Sequence, residues 1–281
     1  MLEISKKTRW VAGWIGLTSL ALAGPPSAPP AAAPDEHWEK TNEQWFESIP
    51  AGGRVRVVNP FGNVYARFGG YEARVEILAT IQQLDDGRPA PQVHRDAVES
   101  GIDVTVVDAE PGAAAAERRD RVDLVVFVPK GTPLEAETDK DKIEIKGLKS
   151  DVAARSARGD VSIRGVAGRV RAHSARGQIS VALEGGATQE PQELSTETGD
   201  IEAYLWEDAA VEVRLATSGE ISTDFSIQIE HHKFEEPDKI GIAVVGKGGP
   251  KLSLLSKRGH LRLLRLPRDF KPDGSEMRGD S

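Results

Sequence analysis

Residues 156–163 read SARGDVSI and residues 174–181 read SARGQISV, and this phrase recurs through the C-terminal half of the chain. Each copy has a Ser or Thr, two further residues, usually a Gly, one polar residue, and then apolar residues that alternate with polar ones. The spacing is about 20 residues, which is typical of repeat architectures. The other copies are TDKDKIEI at 138–145, TETGDIEA at 196–203, ATSGEIST at 216–223 and SKRGHLRL at 256–263.

The residues on either side of each glycine predict two strands. Ile179 and Val181 stand two and four positions after Gly177, and Val152 and Ala154 alternate in the same way ahead of Gly159. Apolar residues with a period of two indicate a strand with one buried face. Each repeat therefore reads as strand, turn, strand, turn, and we expect the glycine to supply a positive φ at the turn.

A unit of this length cannot bury its own apolar face, so the repeats must stack. Stacking equivalent strands in register predicts a β-solenoid with coils of about 20 residues. The alternative is an antiparallel sandwich of hairpins, which explains the alternation but does not require one phrase to recur at nearly constant spacing. Asn59–Val64 resembles an earlier copy of the phrase.

The predicted class is all-β, with a C-terminal β-solenoid and an N-terminal antiparallel β cap that covers its open end. The strands predicted in the cap lie at 44–49, 54–59, 73–81, 102–108 and 122–128. The predicted organisation is a signal peptide at 1–23, a Pro/Ala-rich linker at 24–37, the N-terminal β region at 38–130, the solenoid repeats at 131–266 and a disordered tail at 267–281.

The N-terminus has the pattern of a secretory signal. A short basic segment precedes the uncharged run WVAGWIGLTSLALA at 10–23, and Ala21 and Ala23 are small residues at the positions that a signal peptidase reads. The alternative is an uncleaved anchor, but a membrane span needs about 20 apolar residues. We therefore expect an exported protein, cleaved after Ala23 and soluble in the periplasm or outside the cell, with no membrane span in the mature chain.

Composition excludes several classes of function. The chain has no cysteine, which excludes disulfides, thiolate metal sites, cysteine nucleophiles and a lipid-modified N-terminal cysteine. Its net charge is -8, which argues against nucleic acid as a partner.

Three segments together resemble the bacterial putative-adhesin family of β-strand-repeat proteins, a domain of unknown function. They are residues 122–165, which contain the pattern V-P-x-G-x-x-L-x-x-x-T from Val128 to Thr138, residues 54–70 (RVRVVNPFGNVYARFGG) and residues 251–265 (KLSLLSKRGHLRLLR). The resemblance implies an exported, solenoid-like domain, and it carries over no catalytic residues. The sequence departs from the pattern at Asp141 and at the insertion 226–247.

Two groups of polar residues are candidate chemical sites. His231 and His232 lie among acidic residues at 230–238, but adjacent strand residues point to opposite faces and no metal-ligand spacing supports a site, so a solvated insertion is the simpler interpretation. Asp160 and Asp200 follow turn glycines with Gln178 between them, which would place them near 10 Å apart, at or beyond the wide limit for an inverting glycosidase pair. We therefore predict no enzyme activity, no metal site and no cofactor.

Two short motifs are explained by chance and by the repeat. Arg158–Asp160 and Arg278–Asp280 spell Arg-Gly-Asp, but in the first copy the repeat already accounts for the glycine. Residues 246–250 (GKGGP) lack the Ser or Thr of a phosphate-binding loop and form a turn.

Arginines concentrate at 151–182 in this otherwise acidic chain. Lys140, Arg158 and Arg176 occupy the position before the turn glycine, so stacking would align them in a column, and Arg169 and Arg171 on the adjoining strand could widen it. A solvated edge is the simpler alternative.

The sequence favours a non-catalytic adhesive or scaffold module of the cell envelope, which binds an anionic envelope polysaccharide or another envelope protein. The alternatives are a polysaccharide-active enzyme and an envelope-stress regulatory partner.

Overall fold

Alternating apolar residues make the chain an all-β protein. The computed structural model describes residues 37–109, 119–183 and 189–266, and in these ranges all regular structure is β, as the sequence predicts. The predicted signal peptide, all but the last residue of the predicted linker, the predicted tail and the second Arg-Gly-Asp lie outside the described residues. No helix in the described ranges is long and apolar enough to cross a membrane.

Seven strands precede the first repeat of the C-terminal half. Four of the five predicted segments match strands closely, the first strand starts six residues earlier than predicted, and β3 and β5 were not among the five. The strands are β1 (Trp38–Ser48), β2 (Arg54–Asn59), β3 (Val64–Phe68), β4 (Arg74–Leu84), β5 (Gln92–Val98), β6 (Gly101–Val107) and β7 (Arg121–Val128).

Fourteen further strands follow among the described residues, twelve in the repeats and two in the insertion. They are β8 (Leu134–Thr138), β9 (Ile143–Lys146), β10 (Val152–Ser156), β11 (Val161–Val166), β12 (Val170–Ser174), β13 (Ile179–Leu183), β14 (Gln192–Thr196), β15 (Ile201–Leu205), β16 (Val211–Thr217), β17 (Ile221–Thr223), β18 (Gln228–His231), β19 (Lys239–Val245), β20 (Lys251–Ser256) and β21 (Leu261–Arg265).

The strands form two open, mixed sheets that enclose one apolar core. Sheet A has the order β1-β4-β7-β3-β9-β11-β13-β15-β21-β17, and sheet B has the order β18-β19-β16-β20-β14-β12-β10-β8-β2-β6-β5. Within each repeat the first strand lies in sheet B and the second in sheet A. Side chains such as Ile143, Val161, Ile179 and Leu261 point inward and are buried.

Equivalent strands pair in parallel and in register, as the repeat predicts. Val152 lies between Leu134 and Val170 in sheet B, and Val161 lies between Ile143 and Ile179 in sheet A. This parallel pairing is incompatible with the alternative of stacked hairpins, because hairpin strands are antiparallel.

The N-terminal region is antiparallel only in part. β1 pairs with β4, β4 with β7 and β5 with β6 in antiparallel fashion. β2 and β3, however, pair in parallel with β8 and β9 on one side and with β6 and β7 on the other. The expected cap is thus confined to β1, β4 and β5. The remaining strands continue the stack, and the segment from Asn59 to Val64 occupies the turn that its sequence predicts.

The order of units in space differs from the order in sequence at the C-terminal end. The unit β20/β21 pairs with β14/β15 on one side and with β16/β17 on the other. The unit β16/β17, which comes earlier in the sequence, therefore lies closer to the C-terminal end of the stack than β20/β21. The insertion forms the antiparallel strands β18 and β19 beyond β16.

The turn glycines are required by close packing and not by φ, which corrects the sequence-based expectation. The glycines with positive φ lie elsewhere, as at Gly147 and Gly165. At Gly177 an added Cβ would lie 2.1 Å from the carbonyl oxygen of Gly159, and at Gly259 it would lie 1.9 Å from that of Gly199. Successive turns therefore stack backbone on backbone, with no room for a side chain.

Candidate functional site

The turns that join each sheet B strand to the next sheet A strand form one edge of the molecule. We call this the glycine edge, and it comprises residues 139–142, 157–160, 175–178, 197–200, 218–220 and 257–260. Backbone hydrogen bonds link its turns, as from Arg158 N to the Asp139 oxygen at 2.7 Å. Lys140, Arg158 and Arg176 are exposed along this edge, as the sequence predicts.

The spatial order of units adds Arg258 to this column. Gly259 stacks on Gly199, so Arg258 follows Thr198 where the sequence order placed Ser218. Sequence reasoning missed this neighbour because the phrases around Gly219 and Gly259 are equivalent and carry no signal of which one stacks on Gly199.

In the column of cations, two side chains form ion pairs within the described ranges and two do not. Arg158 forms an ion pair of 2.6 Å with Asp139, and Arg258 forms one of 2.7 Å with Glu236. The hydrogen bond from Arg258 lowers the pKa of the Glu236 carboxyl. Lys140 and Arg176 have no hydrogen bond or ion pair with the part of the chain that the structure describes, so their charges face solvent.

The structure places the other two predicted residues away from this column. Arg169 directly precedes β12, at the end of that strand away from the glycine edge, and it pairs with Asp151 at 3.5 Å and with Glu190 at 3.7 Å. A strand of five residues such as β12 separates the two edges by about 16 Å. Arg171 is exposed on the outer face of sheet B. The five predicted cations therefore do not form one strip.

The outer face of sheet B contains three depressions that meet at Arg155. Their volumes are about 390, 250 and 40 Å³, and Arg155 lines all of them. Small side chains form the depressions: Ala153 lies in the two smaller ones, and Ala157 and Ala175 lie in the largest. We call the second depression the trough; it is lined by Ala153, Ala154, Arg155, Arg171, Ala172, His173, Glu193 and Ser195.

The register brings charged and polar side chains together around Arg155. Its neighbours across the sheet are Glu137 on β8 and His173 on β12. His173 Nδ1 lies 3.0 Å from Ser195 Oγ, and Glu137 faces Arg56 at 3.8 Å. Within the described ranges Arg155 itself has no ion pair or side-chain hydrogen bond.

Sequence reasoning counted Arg155 among the clustered arginines but did not assign it to a site. Writing the outward residues of equivalent strands side by side would have found it. One such row reads Glu137, Arg155, His173 and Ser195.

Asp160 and Asp200 have structural roles in the turns. Asp160 accepts a hydrogen bond of 2.8 Å from the Gln178 backbone N–H, and Asp200 accepts one of 2.7 Å from that of His260. Each carboxylate therefore satisfies a backbone donor of the neighbouring unit. The Arg-Gly-Asp at 158–160 has both charged residues engaged within the protein.

The histidine pair lies at the end of β18. His232 Nε2 is 3.7 Å from Glu230 and its Nδ1 is 3.9 Å from Glu235. Among the residues that the structure describes, no group of three or more potential ligands could hold a metal ion.

No family model matches the chain, and no curated protein matches it in sequence. Two solved structures resemble it over most of its length. A "putative cell adhesion protein" from Clostridium sporogenes is 10% identical with a TM-score of 0.46, over 81% of this chain and 100% of that one. A "putative adhesin" from Bacteroides fragilis is 14% identical with a TM-score of 0.36, over 80% of this chain and 97% of that one. Such similarity does not assign a function, which must come from the chain's own residues.

Proposed function

We propose that this protein is an exported, non-catalytic interaction module of the bacterial cell envelope. In this proposal the repeats act as a β-solenoid scaffold that presents cations to an anionic envelope polymer, such as an acidic polysaccharide. The supporting observation is the glycine edge, where Lys140 and Arg176 face solvent without partners in the described ranges. Neighbouring strands are about 4.8 Å apart, so these two unpaired cations lie about 10 Å from each other along the edge, on either side of Arg158.

A non-catalytic role is supported by how the carboxylates of the stack are used. Asp160 and Asp200 each accept a backbone N–H, and Glu144 is surrounded by Arg67, Lys142 and Lys146. A glycosidase needs one carboxyl with a raised pKa and a second that is free to act as base or nucleophile. These three carboxylates instead accept hydrogen bonds from the protein's own donors.

The experiment measures binding to immobilised polygalacturonate at low and physiological salt. Lys140→Glu with Arg176→Glu should weaken retention, and the wild-type protein should lose retention as salt rises, because exposed charges are screened. Lys149→Glu with Lys247→Glu is the matched control, since both lysines are exposed in turns at the strand ends opposite to the glycine edge. Equal retention of the two double variants, or no wild-type retention at low salt, would refute the proposal.

Export is tested separately on the protein purified from its native cells. We expect the mature chain to begin at Gly24 and to be recovered from the periplasm or the medium. A chain that keeps residues 1–23 and sediments with membranes would contradict export with cleavage.

A further inference from the structure

We infer that the trough is a binding site for a uronate, a sugar ring that carries a carboxylate. This inference rests on the proposed function and identifies a separate site on the outer face of sheet B. The glycine edge attracts a polymer by charge, whereas the trough has the chemistry to recognise individual sugar units. It involves Arg155 and His173, which the repeat phrase does not single out.

Arg155 provides the group that would hold the carboxylate. A guanidinium forms two parallel hydrogen bonds with a carboxylate, and this geometry adds specificity as well as energy. Arg155 lies where the three depressions meet and has no partner among the described residues. Arg171, two residues before His173 on β12, likewise has no ion pair or side-chain hydrogen bond among the described residues. Its Cα lies about 8 Å from that of Arg155 across and along the sheet.

The remaining lining favours a ligand that also donates hydrogen bonds. Glu193 and Ser195 lie in the trough beside Arg171 and His173, and Glu137 lies in the adjoining depressions. Carboxylates repel the dense charge of a polyphosphate or a nucleic acid, but they accept hydrogen bonds from hydroxyl groups. A ring with one carboxylate and several hydroxyls matches this mixture of two free cations and several acceptors.

The dimensions of the face suit an oligosaccharide lying across the strands. The depressions extend from Arg56 on β2 to Ser195 on β14, across five neighbouring strands. Four spacings of about 4.8 Å give a length near 19 Å, which is more than one sugar ring occupies. Such a ligand would cross several repeat units, which explains why the binding residues come from different copies of the repeat.

The test measures binding of oligogalacturonate in solution by titration calorimetry and by backbone amide NMR shifts. We expect Arg155→Gln to weaken binding at least tenfold, and we expect the wild-type shifts to concentrate in β10, β12 and β14. Arg164→Gln is the matched control, because Arg164 lies on the outer face of sheet A in the same unit. Methyl-esterified oligogalacturonate should not bind, since esterification removes the charge and keeps the ring.

The outcomes separate this inference from the proposed function. If the wild-type protein binds and the Arg155→Gln and Arg164→Gln variants bind equally well, the trough is not the site, whereas the glycine edge keeps its role. If polyglutamate binds as tightly as oligogalacturonate in an Arg155-dependent manner, the uronate assignment is wrong. If the wild-type protein binds no acidic polymer at all, both proposals fail.

Discussion

Four turns of the glycine edge are each held by one hydroxyl that makes two hydrogen bonds, from Ser156, Ser174, Thr217 or Ser256. Ser174 Oγ accepts a hydrogen bond of 2.8 Å from Gly177 N–H and donates one of 2.9 Å to the Gly159 carbonyl. Ser256 makes the same pair of contacts with Gly259 and Gly199. In these four turns the Ser or Thr therefore binds the glycine of its own turn and the backbone of the neighbouring unit.

A single methyl group at a turn glycine should destabilise the stack. Gly177→Ala would place Cβ 2.1 Å from the Gly159 carbonyl oxygen, so two backbone segments must move apart. We expect a loss of about 1–3 kcal/mol in the free energy of unfolding, measured by urea denaturation. Arg176→Ala in the same turn is the control and should change stability little. An unchanged unfolding midpoint in Gly177→Ala would show that the turns are not in contact.

Glu144 should make stability depend on pH in acid. Burial alone raises the pKa of its carboxyl, but hydrogen bonds from Lys142 and Lys146 outweigh burial and lower the pKa from 4.5 to about 2. A depressed pKa stabilises the folded state above the unfolded-state pKa, and this stabilisation is lost as pH falls from about 4.5 to about 2. The melting temperature of Glu144→Gln should therefore lie below the wild-type value at pH 7, and the gap should narrow across that range. A gap that stays constant down to pH 2 would contradict the lowered pKa.

At the scale of strands, the alternation of side chains fixes the register of every repeat. Ile179 is fully buried between Val161 and Ile201, whereas the next residue, Ser180, points outward. A shift of one residue would exchange these two faces.

The register can be tested with one charge placed on either side of β13. Ile179→Asp would bury an unpaired carboxylate and should cost several kcal/mol, enough to unfold neighbouring units together. Ser180→Asp places the same group on the outer face and should be tolerated. Circular dichroism melts of the two variants give the comparison, and equal melting temperatures would mean that the register is wrong.

The strands of the repeats could be predicted because their signal is local. Ile179 and Val152 show the period-two pattern within a few residues, and each copy repeats it. β5 could not be predicted, because its side chains are mostly exposed and its sequence, QVHRDAV, shows no alternation. The candidate sites show the same difference. The glycine-edge column could be predicted because its residues occupy one position of the repeat. The trough could not, because its residues come together only through the pairing of different strands.

For the whole molecule, the exposed large apolar side chains lie near the two ends of the stack. Among the described residues they are Trp38, Phe46, Tyr71, Ile229, Phe234, Ile242 and Val244, and none belongs to β8–β15 or to β20 and β21. At the N-terminal end, Arg95 of sheet B packs on the ring of Trp45 at 4.6 Å and pairs with Glu47 of sheet A at 2.7 Å. These partly exposed side chains join β5 of sheet B to β1 of sheet A.

Truncation should reveal that the last unit holds the C-terminal end together. A chain that stops at Pro250 lacks β20 and β21, so β14 keeps only β12 as a parallel partner and β16 loses the parallel partner that joins it to the stack. We expect residues 211–245 of this variant to become sensitive to protease, while the units before β14 stay resistant. A chain that stops at Leu266 keeps both strands and is the control. If the shorter chain resists protease throughout, another contact must hold these strands.

The position of the last unit also governs when the chain can finish folding. A chain is synthesised with its N-terminus first, and each unit up to β15 can add to the surface left by its predecessor. β16 and β17 follow, but the strands they pair with in parallel are β20 and β21, which are synthesised later. The final strands therefore complete the molecule between units that already exist, and a chain interrupted before them would keep unpaired strand edges.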